Sequence, residues 1–175
     1  MFQSIRWRIA VPFIALILIA MFGVSLYVNN FVRQTYLEYL AAELTAESRL
    51  IGEFLQPILA ETPDPDQINR LARNWADRLD RRVTIVYQDG TVAADSAEDT
   101  SKMENHGDRP EIIQALQNGE GSSTRSSDTL GEEMLYAASA VTDGGRILGA
   151  VRIAMPIETI RGNLNSLQRT MFGAT

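Results

Sequence analysis

The stretch RVTIVYQDGTVAAD, residues 82–95, decides the fold class. Val83–Tyr87 is a run of β-branched and aromatic residues, and a second short run, Thr91–Ala94, follows the pair Asp89-Gly90. Such runs favour strands, and an Asp-Gly pair between two of them is typical of a β-hairpin. The segment therefore predicts two adjacent antiparallel strands.

Three further strands are predicted C-terminal to this hairpin. Glu133–Val141 and Arg146–Met155 are strand-like runs joined by the turn Asp143-Gly144-Gly145, and the polar run Ser122–Ser127 is compatible with a strand. Five antiparallel strands with helices indicate an α+β fold, and we expect the helices to cover one face of the sheet.

Two helices are predicted before the strands. From Phe31 to about Leu59, apolar residues recur at helical spacing on one side, which suits docking on the domain core or on a partner helix. Asp64-Pro65 is typical of a helix N-terminus. We expect the last turn of that second helix to carry three basic residues, Arg78, Arg81 and Arg82.

Shorter helical segments follow. Pro110–Leu116 is predicted to be a helix with Asp108 as its N-cap and Gly119 as its stop. From Pro156 onward the pattern is helical again, and the chain leaves the sheet there.

The N-terminal region predicts a membrane anchor. Ile9–Val28 contains twenty residues without a charge, which as a helix spans roughly 30 Å, the thickness of the hydrocarbon core of a bilayer. This run is longer than the apolar region of a cleaved signal peptide. Arg6 and Arg8 precede it, so the positive-inside rule places the N-terminus in the cytoplasm.

The predicted organisation follows from this anchor. Residues 1–8 are cytoplasmic, residues 9–28 span the membrane, and residues 29–170 form an extracytoplasmic domain. The apolar residues 171–175 are expected to begin a second membrane span.

Composition and charge exclude several classes of function. The net charge of −6, with a single lysine, argues against nucleic-acid binding, and the lack of cysteine excludes disulfides and thiolate chemistry. His106 is the only histidine, and one histidine among loop carboxylates is poor support for a metal site. We find no catalytic set and no glycine-rich cofactor motif, so we expect neither enzymatic activity nor a cofactor in this chain.

Four segments carry a family resemblance: Asp95-Ser96, Met103-Glu104-Asn105-His106, Asp108-Arg109-Pro110-Glu111-Ile112, and the block from Thr129-Leu130-Gly131 to Met134-Leu135-Tyr136. Together they resemble the extracytoplasmic sensor domain of PhoR-type histidine kinases, the sensors of phosphate-responsive two-component systems. The resemblance covers roughly residues 31–170. That domain looks like the PAS-like family known as Cache or PDC, which implies a long N-terminal helix and a sheet of about five antiparallel strands.

The resemblance also implies a function for the parent protein. Such proteins are homodimers of the inner (plasma) membrane that pass a signal to a cytoplasmic histidine kinase, which is not present in this chain. His106 lies in a predicted extracytoplasmic loop, where there is no ATP, so it cannot be the phosphorylated histidine.

Three residues are expected to contact a ligand. In PAS-like sensors the pocket usually lies between the sheet and its covering loop and helix, and Arg109, Arg125 and Tyr136 come from those elements. The forked donors of arginine suit an anion. In the alternative, Arg109 forms a structural ion pair with a carboxylate such as Asp95.

Other functions stay open. The same kind of sensor serves a chemoreceptor or a cyclase, and a membrane-anchored module with no small-molecule ligand would instead contact another membrane protein. An anchored or secreted enzyme is disfavoured by the missing catalytic set. The expected partners are membrane lipid around residues 9–28, a second copy of the chain, and a small molecule or membrane protein not identified by the sequence.

Overall fold

The structure, a computed structural model, describes residues 5–61, 64–127 and 131–157. Its elements are α1 (Ile5–Ala60), α2 (Pro65–Leu79), β1 (Arg82–Tyr87), β2 (Val92–Asp95), a short 3₁₀ helix (Thr100–Lys102), α3 (Pro110–Asn118), β3 (Glu120–Ser126), β4 (Glu133–Asp143) and β5 (Arg146–Pro156). The strands form one antiparallel sheet in the order β2-β1-β5-β4-β3. The predicted α+β class with five strands is confirmed.

Both predicted hairpins are present. At the first, the N–H of Tyr87 donates to the carbonyl of Thr91 at 2.8 Å, and Gly90 has a φ of 86°, which favours glycine. The second joins β4 to β5, so that β5 becomes the central strand. Its register places Arg152 opposite Thr84 of β1 on one side and opposite Ala138 of β4 on the other.

The chain divides into two compact units, Met1–Tyr39 and Leu40–Thr175. In the first, large apolar side chains of α1 are exposed, among them Phe13, Ile19 and Phe22. Of the helices in the described part of the chain, only α1 is long and apolar enough to cross a membrane, as judged by its length and composition. This helix contains the predicted span, residues 9–28; its orientation stays a prediction.

In the second unit, one stripe of α1 packs into the core. Five apolar side chains of the helix are buried: Leu40, Leu44, Ile51, Leu55 and Leu59. Between them, the hydroxyl of Ser48 donates to that of Ser139 on β4 at 3.0 Å. From Leu40 onward, the apolar stripe predicted from the sequence therefore docks on the domain itself.

Helix α3 lies on the opposite face of the sheet from α1. Ala138 of β4 belongs to a buried cluster with Ile112 and Ala115 of α3, whereas its neighbour Ser139 contacts α1. Adjacent residues of a strand point to opposite faces. The expectation that the helices gather on one face is therefore wrong for α3, and the two faces of the sheet have different coverings.

The predicted helix ends are correct in two cases and wrong in two. Asp64 caps α2 by accepting from the N–H of Asp66 at 3.0 Å, and Gly119 ends α3. The N-cap of α3 is Arg109, without a side-chain capping bond, so Asp108 is not the cap. Of the three basic residues predicted for the last turn of α2, Arg78 lies there, whereas Arg81 lies beyond the C-cap Asp80 and Arg82 begins β1. The predicted helix after Pro156 and the predicted second span lie, beyond Ile157, outside the described residues.

Candidate ligand-binding site

Four arginines converge on a small cavity on the α3 side of the sheet. The cavity has a volume of about 50 Å³. It is lined by Arg82, Met103, His106, Arg109, Arg125, Ser127, Tyr136 and Arg152. Guanidinium groups attract anions strongly and never lose their proton in proteins. The lining therefore favours an anionic occupant.

The loop that closes the cavity is held on the first hairpin. The N–H of His106 donates to the carbonyl of Gly90 at 2.8 Å, and the side-chain amide of Asn105 donates to the carbonyl of Asp89 at 3.0 Å. A Cβ atom at Gly90 would lie 2.5 Å from the nitrogen of Gly107, so the two backbones can approach only because residue 90 is glycine. The resemblance motif at residues 103–106 thus has a structural role.

Asp95 holds Arg82 at one side of the cavity. The Nε of Arg82 lies 3.1 and 3.2 Å from the two carboxylate oxygens of Asp95, which is buried. The same carboxylate accepts from the hydroxyl of Thr84 at 2.7 Å and from the N–H groups of Ala97 and Glu98. The Nε of Arg109 lies 3.6 Å from a carboxylate oxygen of the exposed Asp108.

Glu111 is the counter-charge on the other side. Its buried carboxylate accepts from Ser123 at 2.6 Å, from Nη2 of Arg125 at 3.2 Å and from Nη1 of Arg152 at 3.4 Å. Burial alone raises the pKa of this carboxyl. The hydrogen bonds from Ser123, its own backbone and Arg125, together with the charge of Arg152, lower the pKa by more than burial raises it, so the net shift is downward. Glu111 is therefore ionised at neutral pH.

Tyr136 provides an aromatic surface for two of the cations. The Cζ of Arg125 lies 4.2 Å from the centroid of the Tyr136 ring, and that of Arg152 lies 5.2 Å from it. These are cation–π distances. Because Tyr136 is buried on β4, it fixes the position of Arg125, which extends from the neighbouring strand β3.

His106 lies between these charges with its side chain almost inaccessible to solvent. Its Nδ1 atom has no hydrogen-bond partner within the described ranges. Burial lowers the pKa of the imidazole to about 4, and the positive charges of Arg152, Arg109 and Arg125 act in the same direction against the opposing effect of Asp95. The imidazole is therefore neutral at pH 7.

The cavity combines positioned guanidinium donors with buried carboxylates. Four guanidinium groups line the cavity, and within the described ranges the fully buried carboxylates of Asp95 and Glu111 lie beside them. Two further acids in the described ranges pair with these arginines: the side chain of Asp108, beside Arg109, is exposed, and that of Glu98, beside Arg82, is partly exposed. An oxyanion in the cavity would meet donors that are already positioned.

The three residues predicted as ligand contacts, Arg109, Arg125 and Tyr136, line this one cavity. Their contact with a ligand stays a prediction. Sequence reasoning did not place Arg82, Arg152 or the loop residue His106 in this cavity. One signal was available for Arg152, because it interrupts the otherwise apolar strand LGAVRIAM, residues 148–155, and a charge at such a position needs a partner.

The comparisons with known proteins concern this same region. The sequence model of a family described as single Cache-like matches residues 34–156. No curated protein matches the sequence.

Similar solved structures are sensor and ligand-binding domains. The domain of the chemoreceptor Tlp3 of Campylobacter jejuni, in complex with L-valine, is 16% identical with a TM-score of 0.58, over 75% of this chain and 58% of that one. The amino acid chemoreceptor PctC of Pseudomonas aeruginosa, in complex with GABA, is 19% identical with a TM-score of 0.62, over 75% and 64%. The sensor domain of the histidine kinase DctB of Vibrio cholerae is 14% identical with a TM-score of 0.56, over 83% and 58%. This chain thus spans less than two thirds of each, and the likeness shows the fold alone.

Proposed function

The chain belongs to the single Cache-like family of sensor domains, and we propose that it receives a small oxyanion, or the anionic head of a larger ligand, outside the cytoplasm. The observation that carries the proposal is the convergence of four guanidinium groups and Tyr136 on one cavity. The relatives in complex with L-valine and GABA agree with it in chemistry, since both compounds carry a carboxylate.

The size of the cavity limits the part of the ligand that it can hold. A cavity needs a volume of roughly 10–15 Å³ to hold one water molecule, and pockets for drug-sized ligands have volumes of about 300–1,000 Å³. A cavity of about 50 Å³ therefore suits one carboxylate, phosphate or sulfate group. Arg82 also lines a groove of about 570 Å³ that includes Glu98 and Met134, and this groove is where the body of a longer ligand would extend.

The signal is proposed to pass through β5. An anion that attracts Arg152 competes with Glu111 of α3 for the same guanidinium, and β5 runs from Arg152 to its end at Pro156, where the chain leaves the sheet. A ligand can shift a protein only by binding two arrangements with different affinity. Here the two arrangements differ in whether Arg152 pairs with Glu111 or with the ligand.

For the parent protein we propose a homodimeric, PhoR-type sensor histidine kinase of the inner membrane, anchored by residues 9–28 with its N-terminus in the cytoplasm. The resemblance of the segments around Asp95, His106 and Tyr136 supports this assignment. A chemoreceptor is the second candidate, favoured by the similar fold of the Tlp3 and PctC domains. The coding sequence beyond residue 175 distinguishes them, since a kinase requires a phosphorylated histidine on a helix and an ATP-binding domain.

The ligand proposal is tested by thermal unfolding of the full chain in detergent. Sulfate, phosphate, formate and malonate are each compared with chloride at equal ionic strength, because a ligand that binds only the folded state raises the melting temperature. We expect at least one of them to stabilise the wild type and an Arg49→Gln control, which alters an exposed arginine of α1 paired with Glu120, but not Arg125→Gln. If none of the four anions stabilises the wild type, the proposal is wrong.

A further inference from the structure

The imidazole of His106 is a fixed part of the cavity wall. Its side chain is buried and borders the cavity. Two backbone hydrogen bonds fix the position of His106. Its N–H donates to the carbonyl of Gly90 at 2.8 Å, and its carbonyl accepts from the backbone N–H of Arg109 at 3.1 Å. The Nδ1 atom is buried and has no hydrogen-bond partner among the described residues, which is costly in a folded protein unless something that binds there completes its bonding.

The charged and titratable groups around the cavity come from several elements. The positive groups are Arg82 of β1, Arg109 at the start of α3, Arg125 of β3 and Arg152 of β5. Among the described residues, the negative or titratable groups are Asp95 of β2, Glu111 of α3 and Tyr136 of β4, together with the loop residues Glu98 beside Arg82 and Asp108 beside Arg109. Of all these side chains and His106, only the imidazole has an unperturbed pKa near neutrality, so it is the group suited to change its charge there.

We propose that His106 takes up a proton when an oxyanion binds in the arginine cavity, so that the sensor responds to the anion and to acidity together. This inference rests on the proposed function. Burial and the surrounding guanidinium groups both disfavour a positive charge on His106. A bound oxyanion opposes that field, and the protonated imidazole then offers N–H donors at both ring nitrogens, including the Nδ1 that the described part of the chain leaves without a partner.

The direction of the pH dependence follows from linkage. Burial and the arginines place the pKa of His106 at about 4 in the empty site, and an anion raises it. The protonated form then binds the anion more tightly, so affinity increases as the pH falls through the raised pKa toward the lower one. Within that window the apparent affinity rises by up to about tenfold per pH unit, and above the raised pKa it no longer depends on pH.

The unique histidine permits a direct measurement. The full chain is prepared in detergent with a tag that contains no histidine and with isotope-labelled histidine, so that a single imidazole gives all the signals in an NMR titration. Sulfate and formate are the probes, because neither changes its own charge appreciably between about pH 5 and pH 8, where histidine titrates. The pKa of His106 is measured in chloride and in a saturating concentration of each probe.

We expect the pKa of His106 to rise by at least about one unit in the probe that binds. We also expect the affinity for that probe to increase as the pH falls, and this slope to disappear in His106→Gln. An unchanged histidine pKa while the probe stabilises the wild type overturns the proton uptake and leaves the anion site intact. If neither probe binds at any pH, the proposed proton uptake is also overturned. Thermal unfolding in phosphate and malonate then shows whether the anion site itself is wrong.

Discussion

The Nη1 atom of Arg152 lies 3.4 Å from Oε1 of Glu111, and both side chains are almost fully buried. The two residues come from different elements, the central strand β5 and the helix α3 on its surface. Removing one partner of a buried pair leaves the other charge without compensation. The resulting loss of stability is larger than the net stability that the intact pair contributes. This contact therefore fixes α3 on the sheet as well as placing Arg152.

Glu111→Gln should destabilise the domain at neutral pH by about 1–3 kcal/mol, because Arg125 and Arg152 lose their shared counter-charge. The folded-state pKa of Glu111 is below its ordinary value of 4.5. Its contribution is therefore present above about pH 4.5 and is lost as the pH falls through the lower, folded-state pKa. The difference in unfolding free energy between wild type and variant, measured with urea, should shrink below that pH.

Glu120→Gln is the matched control for this prediction, since it neutralises an exposed glutamate that pairs with Arg49. Its effect should stay within about 0.5 kcal/mol at any pH. Equal destabilisation by the two variants, or a Glu111→Gln difference that persists in acid, would contradict the role given to the buried pair.

Tyr136→Leu should weaken anion binding, whereas Tyr136→Phe should retain most of it. The ring lies 4.2 Å below Arg125, and a cation–π contact of this kind contributes about 0.5–2 kcal/mol depending on its desolvation. Phenylalanine keeps the aromatic face and leucine does not. The affinity of each variant for sulfate is measured from the thermal shift at several sulfate concentrations, and it should be lower for Tyr136→Leu than for Tyr136→Phe. A large loss in Tyr136→Phe would instead assign the phenolic hydroxyl to the ligand.

The strands were predictable and most of the cavity was not, for physical reasons. Hairpins depend on local chemistry, so the Asp89-Gly90 pair was sufficient to place β1 and β2. Helical periodicity shows which side of α3 is apolar, but not which face of the sheet it covers. The sequence predicts a helix end for Arg82 because basic residues suit that position, but its place in β1 is supported by Asp95, thirteen residues further along the chain.

Gly121→Ala should destabilise the contact between β3 and α3. A Cβ atom at residue 121 would lie 2.4 Å from the Cβ of Gln114 and 2.5 Å from the carbonyl oxygen of Glu111. Either α3 or β3 must shift to relieve this overlap, at a cost of about 1–3 kcal/mol. Ser122→Ala, at the next and exposed position of the strand, is the control and should be nearly neutral. The free energies of unfolding of the two variants and the wild type are the measurement. Equal destabilisation by Gly121→Ala and Ser122→Ala would contradict the close packing of β3 against α3.

The predicted orientation in the membrane can be tested because the chain has no cysteine. Ser122→Cys places a thiol on an exposed position of the sensor domain, and Gln3→Cys places one before the predicted span. A maleimide that cannot cross membranes should label the first variant in intact spheroplasts and the second only after lysis, because Arg6 and Arg8 retain the N-terminus in the cytoplasm. Labelling of Gln3→Cys in intact cells would reverse the orientation. The arginine cavity would then face the cytoplasm, and its anion would have to be a cytoplasmic metabolite.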